Sequence, residues 1–426
     1  MDAPCFREPP RSEVSLDRGA RPDAEQRSAL PGPPRRIPAN LPRHGERSRV
    51  PKDRGTHPRL RRSRRDTRPA RRKDCLIVRV AIASTTVPNI DGGGRLIVRW
   101  TADAIRAAGH EVEEFYFPFP PGVRPTMAAL VGLRAVPLAT SCDRLIAIRW
   151  PAHLIRHENK ATWFIHHYRE LFDLWDTKYR THPDTPETRA YRRAFRQFDN
   201  LGLGESQDVF TNSLIVRDRV KRYNEIDATP LFPPLGGDTS RFRNDGTGDF
   251  IFYPSRVTLI KRQLLAVEAM RHTTSGVRLV IAGKPENQGY ADLLRERVRE
   301  HGLEDKVTLE LDWMEESLKV ALMASSLAVA YLPSDEDSYG YPSLEASHSG
   351  KPIVTVADAG GALEFVRDGV EGFVAEPDPK ALAAAFDQLY EDKSASERMG
   401  LASYDRRAEL GISWENVVPR LLGVAP

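Results

Sequence analysis

Short continuous apolar runs, each followed by a loop and a helical pattern, constrain the fold of this chain most. LIVRVAIAS (76–84) and LAVAYL (327–332) are two of them. A strand that is apolar on both faces is typical of a parallel sheet covered by helices on both sides. A stretch rich in proline and glycine at 231–242 separates two groups of such units. The sequence therefore predicts two doubly wound α/β domains joined by a hinge.

The stretch SDEDSYGYPSLEASHSGKPIVT (334–355) follows the second of these runs. An acidic turn comes first, and small residues from Pro342 to Ser349 then predict a helix that Gly350 ends. Asp337 thus lies in the loop and Glu345 early in the helix, where phosphate and ribose groups commonly bind in such sheets. The alternative is that Asp337 only caps the helix and Glu345 only interacts with its dipole.

A glycine loop follows the first apolar run. Gly92, Gly93 and Gly94 precede a helix predicted from Arg95 to Ala108. Glycines let the backbone approach a ligand closely and point N–H groups at an anion, although the same loop can be just a tight turn. Since the spacing is not G-x-G-x-x-G, the loop disfavours a nicotinamide-dependent oxidoreductase.

Two further strand ends carry groups that can contact a ligand. Arg256 and Lys261 lie five residues apart after the run DFIFY, with Lys261 at the predicted start of the helix KRQLLAVEAM. They can converge on one anion, or they can be unrelated surface cations. The run at 161–165 delivers His166 and His167 to another strand end. Adjacent histidines point in different directions, so at most one of them reaches a ligand.

The charge distribution separates a leader from the rest. Residues 1–75 hold 12 prolines and 19 arginines and have a net charge of +11, whereas the remainder has −7. Without apolar periodicity this leader is predicted to be disordered. The run Arg59–Arg72 can bind anionic lipid or nucleic acid non-specifically, but it has no aromatic residues that would stack on bases. A solvated tail, or a translated segment upstream of the true start, is the simpler interpretation.

The three cysteines indicate a reducing compartment. Cys5, Cys75 and Cys142 are odd in number and widely spaced, which disfavours a disulfide framework or a zinc site. No run approaches 18 apolar residues, and the N-terminus lacks the apolar core of a signal peptide. We therefore expect a cytoplasmic protein.

Several segments together resemble family 4 of the retaining nucleotide-sugar glycosyltransferases, which have the GT-B fold of two facing Rossmann-like domains. The resemblance rests on DSYGYPSLEASHSGKPIV, SRVTLIK, GGALEFVRDGVEGFVAEPDPKALA and SWENV. Weaker matches are the glycine loop, WFIHHYRELFDLW and FTNSLIVRDRVKRYN. It implies an acceptor domain at 76–240 and a donor domain at 246–405. A closing helix at 412–423 is expected to pack back on the acceptor domain.

The resemblance also implies roles for the residues of the acidic stretch. Glu345 matches the acid that binds the ribose hydroxyls. Asp337 matches an acid that contacts the donor sugar, but it is one methylene shorter than the glutamate of the family, a departure that bears on sugar identity or rate. The further donor-binding residues implied are Gly340, Tyr341, Pro342, Ser343, Leu344, Gly92, Gly93 and Gly283.

The remaining matches imply the reaction. Arg256 and Lys261 match the cations that hold the donor pyrophosphate, and His166 matches a histidine beside the donor sugar, with His167 as the fallback. We expect a metal-independent retaining transferase without a cofactor, whose co-substrate is a nucleoside diphosphate sugar. Its acceptor would be a glycan or a lipid-linked sugar, which implies peripheral contact with an anionic membrane at its inner face. No specific nucleic acid is expected.

Three alternatives stay open at the level of sequence. Asp335, Glu336 and Asp337 form a D-x-D string, which is typical of metal-dependent glycosyltransferases of another fold. A GT-B epimerase or glycosyl phosphorylase would share most of the motifs. A non-enzymatic binding protein would act through the electrostatics of the basic leader.

Overall fold

The computed structural model describes residues 77–86, 93–120, 122–138 and 140–424. The predicted leader at 1–75 and the predicted ligand residue Gly92 lie outside the described residues. Within the described residues, twelve strands form two six-stranded sheets whose paired strands all run parallel. The expected fold class, two doubly wound α/β domains, is therefore confirmed.

The first sheet has the strand order β2-β1-β3-β4-β5-β6. Its strands are β1 (Arg79–Thr86), β2 (Glu111–Pro118), β3 (Arg144–Ile148), β4 (Lys160–Phe164), β5 (Asp208–Thr211) and β6 (Thr229–Pro230). Its helices are α1 (Gly93–Ala107), α2 (Val123–Arg134), α3 (Pro186–Gly204) and α4 (Leu214–Asn224). Strands β3 and β4 are buried along their whole length, as helices on both faces require.

The second sheet has the order β12-β11-β10-β7-β8-β9. Its strands are β7 (Phe250–Pro254), β8 (Arg278–Ala282), β9 (Val307–Glu310), β10 (Ala328–Ala330), β11 (Ile353–Val356) and β12 (Gly372–Ala375). The helices that follow in sequence are α5 (Gln263–Met270), α6 (Gln288–Glu300), α7 (Glu316–Ser325), α8 (Tyr341–His348), α9 (Ala362–Phe365), α10 (Pro379–Glu391) and α11 (Lys393–Glu409). Loops at the carboxyl ends of both sheets reach one cleft, which is the usual ligand position in open α/β sheets.

The chain ends with a helix that returns to the first domain. In α12 (Trp414–Leu422), Val417, Val418 and Leu421 are buried in one cluster with residues of β1 and α1. Ser413 caps this helix by accepting a hydrogen bond from the Asn416 N–H at 3.2 Å. No helix in the described part of the chain is long and apolar enough to cross a bilayer.

Two helices of the second domain begin differently from the prediction. Helix α5 begins at Gln263, because Lys261 closes a separate 3-10 turn and Arg262 adopts a left-handed φ of 57° between them. Helix α8 begins at Tyr341, directly after Gly340, and no side chain caps it. The alternative that Asp337 serves as a helix cap is therefore wrong.

Helix α11 was not predicted at all. Its buried positions are occupied by Ser396, Gly400 and Ser403 instead of large apolar residues. Gly400 is needed because a Cβ at that position would collide with the carbonyl oxygen of Gly350. A helix that packs through small residues lacks the apolar period by which an amphipathic helix is recognised.

Candidate active site

A cleft of about 440 Å³ lies between the two domains. The loops that line it follow strands of both sheets, namely β1, β3, β4, β5 and β6 of the first and β7 and β10 of the second. Eight residues that the sequence singled out line it together: Gly93, His166, Arg256, Lys261, Asp337, Gly340, Tyr341 and Pro342. The fold thus brings residues separated by up to 249 positions into one cavity.

The start of α1 meets the start of α8 across this cleft. A Cβ at Gly93 would lie 2.7 Å from the Tyr341 ring, so the close approach depends on glycine. Trp100 of α1 packs edge-on against the same ring, with 5.0 Å between ring centroids. Gly340 has a φ of 75°, and a Cβ there would collide with the ring of Tyr331. These contacts hold the acidic loop between β10 and α8 against the first domain.

The two adjacent histidines have different environments. His166 lines the cleft, and its Nδ1 lies 2.6 Å from the carbonyl oxygen of His167. His167 is 1% exposed, and its Nε2 lies 2.7 Å from Oδ1 of Asn224 in the core. Burial lowers the pKa of His166 from its usual value, and the opposing effect of Asp337 is smaller. A neutral His166 therefore faces the cleft, and His167 has a packing role.

Asp337 is 8% exposed, and the first domain supplies its cationic partners. Its carboxylate pairs with Arg219 Nη1 and lies 3.5 Å from Arg169 Nε. Burial alone would raise the pKa of Asp337, but Arg169 and Arg219 outweigh it and hold that pKa below its usual value. Asp337 is thus ionised. Asp335 also pairs with Arg219, at 2.8 Å.

Arg169 and Arg219 are not among the site residues that the sequence predicts. Arg169 comes three residues after His166, and Arg219 lies on the basic helix α4. Their position in two of the weakly matching segments was the available signal. The pairing itself is non-local, because Asp337 lies 118 residues from Arg219.

Lys261 is already engaged in the cleft. Its Nζ pairs with the Glu336 carboxylate and donates to the Tyr331 hydroxyl at 2.7 Å. By contrast, the Arg256 side chain is 57% exposed, and its ion pair with Glu286 spans 3.8 Å. A bound anion can contact Arg256 directly, but it must compete with Glu336 for Lys261.

Glu345 does not line the cleft in this structure. It is 7% exposed, and Lys319 Nζ donates to its Oε1 at 2.7 Å. Burial raises the pKa of Glu345, which favours the neutral carboxyl. The effect of Glu345 on Lys319 outweighs burial and raises the pKa of Lys319, which favours the charged amine, so the two shifts disagree on whether the pair is ionised. The short charge-assisted bond is the geometry of an ionised pair, so we take both groups as charged.

Three other predicted donor-binding residues point elsewhere. Ser343 and Leu344 are fully buried, with Leu344 in the hydrophobic core behind α8. Gly283 packs so closely on the carbonyl oxygen of Ser255 that a Cβ would collide with it. Their positions are explained by packing, and their role in donor binding stays a prediction.

The D-x-D string does not form a cluster of ligands. Asp335 and Asp337 pair with arginines and Glu336 pairs with Lys261. Among the described residues, no three His, Cys, Asp or Glu side chains are grouped in a way that could hold a metal ion.

Comparison with known proteins supports a glycosyltransferase. The sequence model of the family described as "Glycosyl transferases group 1" matches residues 238–406, which make up the second domain. Its relatives include human "Alpha-1,3/1,6-mannosyltransferase ALG2", 27% identical over 63% of this chain and 68% of the relative. "D-inositol 3-phosphate glycosyltransferase" from Mycobacterium marinum is 32% identical over 34% of this chain and 32% of the relative.

Solved structures agree with the GT-B fold. The structure of Anabaena Alr3699/HepE in complex with UDP has a TM-score of 0.62 at 16% identity, and covers 81% of this chain and 98% of that one. Sucrose-phosphate synthase from Thermosynechococcus elongatus has a TM-score of 0.63 at 16% identity, over 80% of this chain and 97% of that one. At these identities the likeness shows the fold alone. Together with the family match, it makes this chain a GT-B glycosyltransferase.

Proposed function

We propose that this protein is a retaining glycosyltransferase that moves a sugar from a nucleoside diphosphate sugar to a glycan or lipid-linked acceptor, without a metal ion or cofactor. One observation carries the proposal: cations of the second domain face a neutral histidine of the first domain across a single cleft. Arg256 and Lys261 form the cationic wall, His166 faces them, and the ionised Asp337 lies in the same cavity.

The chemistry of these groups suits departure of a diphosphate. When the bond between the anomeric carbon and the diphosphate oxygen breaks, negative charge grows on the diphosphate and positive charge on the sugar. Arg256 and Lys261 would stabilise the negative charge on the diphosphate, and Asp337 the positive charge on the sugar. None of these groups would need to move during the reaction. Lys261 would exchange Glu336 for a phosphate oxygen as the donor binds.

Retention is proposed from the resemblance of the sequence motifs to the retaining family, and the carboxylates of the cleft argue against a double displacement because they are already paired. Glu336 pairs with Lys261, and Asp337 pairs with Arg219. Neither is free in the way that the nucleophile of a retaining hydrolase is. We infer a front-face displacement, in which the acceptor hydroxyl attacks from the side on which the diphosphate departs. A diphosphate oxygen takes the hydroxyl proton.

The experiment that tests this function is a thermal-shift screen of the purified chain against UDP-, GDP-, ADP- and dTDP-sugars. A donor at 100 times its Kd adds about 2.7 kcal/mol of stability by mass action. Because ALG2 relatives are named mannosyltransferases, nucleotide-activated mannose is the first donor to test. The proposal would be contradicted if no nucleotide sugar stabilised the chain, or if NMR showed an inverted anomeric centre in the product. Activity that EDTA abolishes and manganese restores would favour the metal-dependent alternative.

Two other outcomes distinguish the remaining alternatives. Products scanned with and without added phosphate separate transfer from epimerisation or phosphorolysis. Deletion of residues 1–74 should leave transfer intact, whereas a protein acting through its basic leader would lose its function. We further propose a cytoplasmic protein that meets its acceptor at the inner face of the membrane. Co-sedimentation with anionic vesicles, but not with neutral ones, is the expected result.

A further inference from the structure

One partly buried cation of the cleft has no role in the reaction described so far. Arg149 follows β3 and lines the first-domain side of the cavity. Its φ is 70°, a conformation that costs a non-glycine residue about 1–3 kcal/mol and tends to occur at functional sites. The protein therefore holds this arginine in place at an energetic cost.

The Arg149 guanidinium is held by close packing but makes few hydrogen bonds with the described residues. Its Nη1 donates to the carbonyl oxygen of Thr85 at 2.9 Å. A Cβ at Gly94 would lie 2.8 Å from its Nε, so the side chain lies flat against the glycine loop. Among the described residues it has no other hydrogen bond and no ion pair, although a guanidinium has five N–H donors. Several donors are thus left for a ligand.

The surroundings of Arg149 attract an anion. Arg95 lies near enough to lower its pKa, as burial does more strongly. Besides burial, Arg149 and Arg169 also lower the pKa of His166. All other arginines and lysines that line the cleft have a carboxylate partner: Arg169 has Asp173, Arg256 has Glu286 and Lys261 has Glu336. Arg149 is the exception within the described part of the chain.

We propose that Arg149 is the anion-binding residue of the acceptor subsite, and that the acceptor carries a phosphate or carboxylate close to the hydroxyl that is glycosylated. The inference rests on the proposed transferase function. It assigns the anion to the acceptor because the donor diphosphate has its own cations, Arg256 and Lys261, on the other domain.

The first test uses inorganic phosphate as the probe and the thermal shift as the readout, with the stabilising nucleoside diphosphate at saturation. Arg149→Met should weaken phosphate binding about 10- to 100-fold, which is the loss expected when a hydrogen bond to a charged group is removed. Arg149→Lys, which keeps the charge, should recover part of it. Nucleotide binding should change less than threefold in Arg149→Met but fall in Arg256→Met. Phosphate binding at wild-type strength in Arg149→Met, or nucleotide binding weakened tenfold there, would overturn the proposal.

The second test needs no variant and thus no assumption about folding. The wild-type enzyme is given mannose 6-phosphate against mannose, glucuronic acid against glucose, and vesicles of phosphatidylinositol against vesicles of phosphatidylcholine. We expect kcat/KM to be at least tenfold higher for the charged member of at least one pair of acceptors. If that pair is one of the sugar pairs, the anion belongs to a soluble sugar; if it is the vesicle pair, the anion belongs to a lipid headgroup. Preference for the neutral members would overturn the proposal. If no nucleotide stabilises the protein, the transferase proposal fails, while phosphate titration without nucleotide still tests Arg149.

Discussion

At the scale of residues, the acidic loop at 335–337 divides its charge between the two domains. Asp335 and Asp337 pair with Arg219 of the first domain, and Glu336 pairs with Lys261 of the second. The loop is therefore largely neutralised before any substrate arrives. On the proposed function, a donor diphosphate would meet Arg256 first, since this cation is more exposed than Lys261 on the second-domain wall.

Arg256→Ala should lower kcat by about 10²–10³-fold, the loss seen when one group stabilising a developing charge is removed. Lys261→Ala should have an effect of the same order. Arg271→Ala is the matched control, because this exposed arginine lies just after α5 and, among the residues that the structure describes, pairs only with Glu268. Steady-state rates with a proven donor are the measurement. Unchanged turnover in Arg256→Ala would remove the leaving-group assignment.

The pH profile should report a histidine that stays neutral. Burial lowers the pKa of His166 below its ordinary value of 6.5, so protonation sets in only at lower pH. We expect kcat/KM to remain constant as the pH falls from 8 to 6.5, and to decline only below that value. A decline centred at or above pH 6.5 would contradict the burial argument. His272→Asn, at an exposed position, should leave the profile unchanged.

At the scale of elements, helix α4 is held by the opposite domain. Glu364 of α9 accepts hydrogen bonds from the N–H groups of Leu214 and Ile215 at 2.7 and 2.8 Å. Ser213 donates to the carbonyl oxygen of Asp337. A carboxylate at this end of α4 also interacts favourably with the helix dipole. The helix that carries Arg219 is thus held in position by segments of the second domain, the domain that also contains the carboxylates Asp335 and Asp337 that pair with this arginine.

Glu364→Ala should therefore loosen the contact between the domains. Loss of a helix cap costs about 1 kcal/mol, which corresponds to roughly fivefold faster amide exchange if those amides exchange through local opening. Hydrogen exchange at residues 214–216 is the measurement. Glu364→Gln keeps one acceptor and should show a smaller change, and Asp218→Asn, on the exposed surface of the same helix, should show none. Equal exchange in Glu364→Ala and wild type would show that the cap does not hold α4.

At the scale of the whole molecule, α12 connects the end of the chain to the core of the first domain. Leu421 is fully buried among residues of that core. Trp414 Nε1 donates to the carbonyl oxygen of Leu235 in the hinge at 2.8 Å. The last helix therefore stabilises a domain that is encoded some 300 residues earlier.

Leu421→Ala should lower the free energy of unfolding by about 2–5 kcal/mol, the usual cost of removing a large buried side chain. Leu401→Ala on α11 makes the same chemical change at a position that is 65% exposed, and should cost less than about 0.5 kcal/mol. Urea denaturation followed by tryptophan fluorescence is the measurement. Equal midpoints for the two variants would show that α12 does not contribute to the core.

Features that depend on neighbouring residues could be predicted from the sequence. Apolar runs predicted the strands, and the segment from Asp337 to Glu345 predicted a loop and helix at a strand end, because periodicity and turn chemistry act over a few residues. Which charged side chains form pairs depends on how distant segments pack, and the sequence pattern does not show this. Arg219, Arg169 and Lys319 reach their carboxylates from 118, 168 and 26 residues away. Such pairs form only when distant parts of the chain pack together. That packing buries His166, which lowers its pKa, and brings Arg169 and Arg219 to Asp337, which lowers the pKa of that carboxyl.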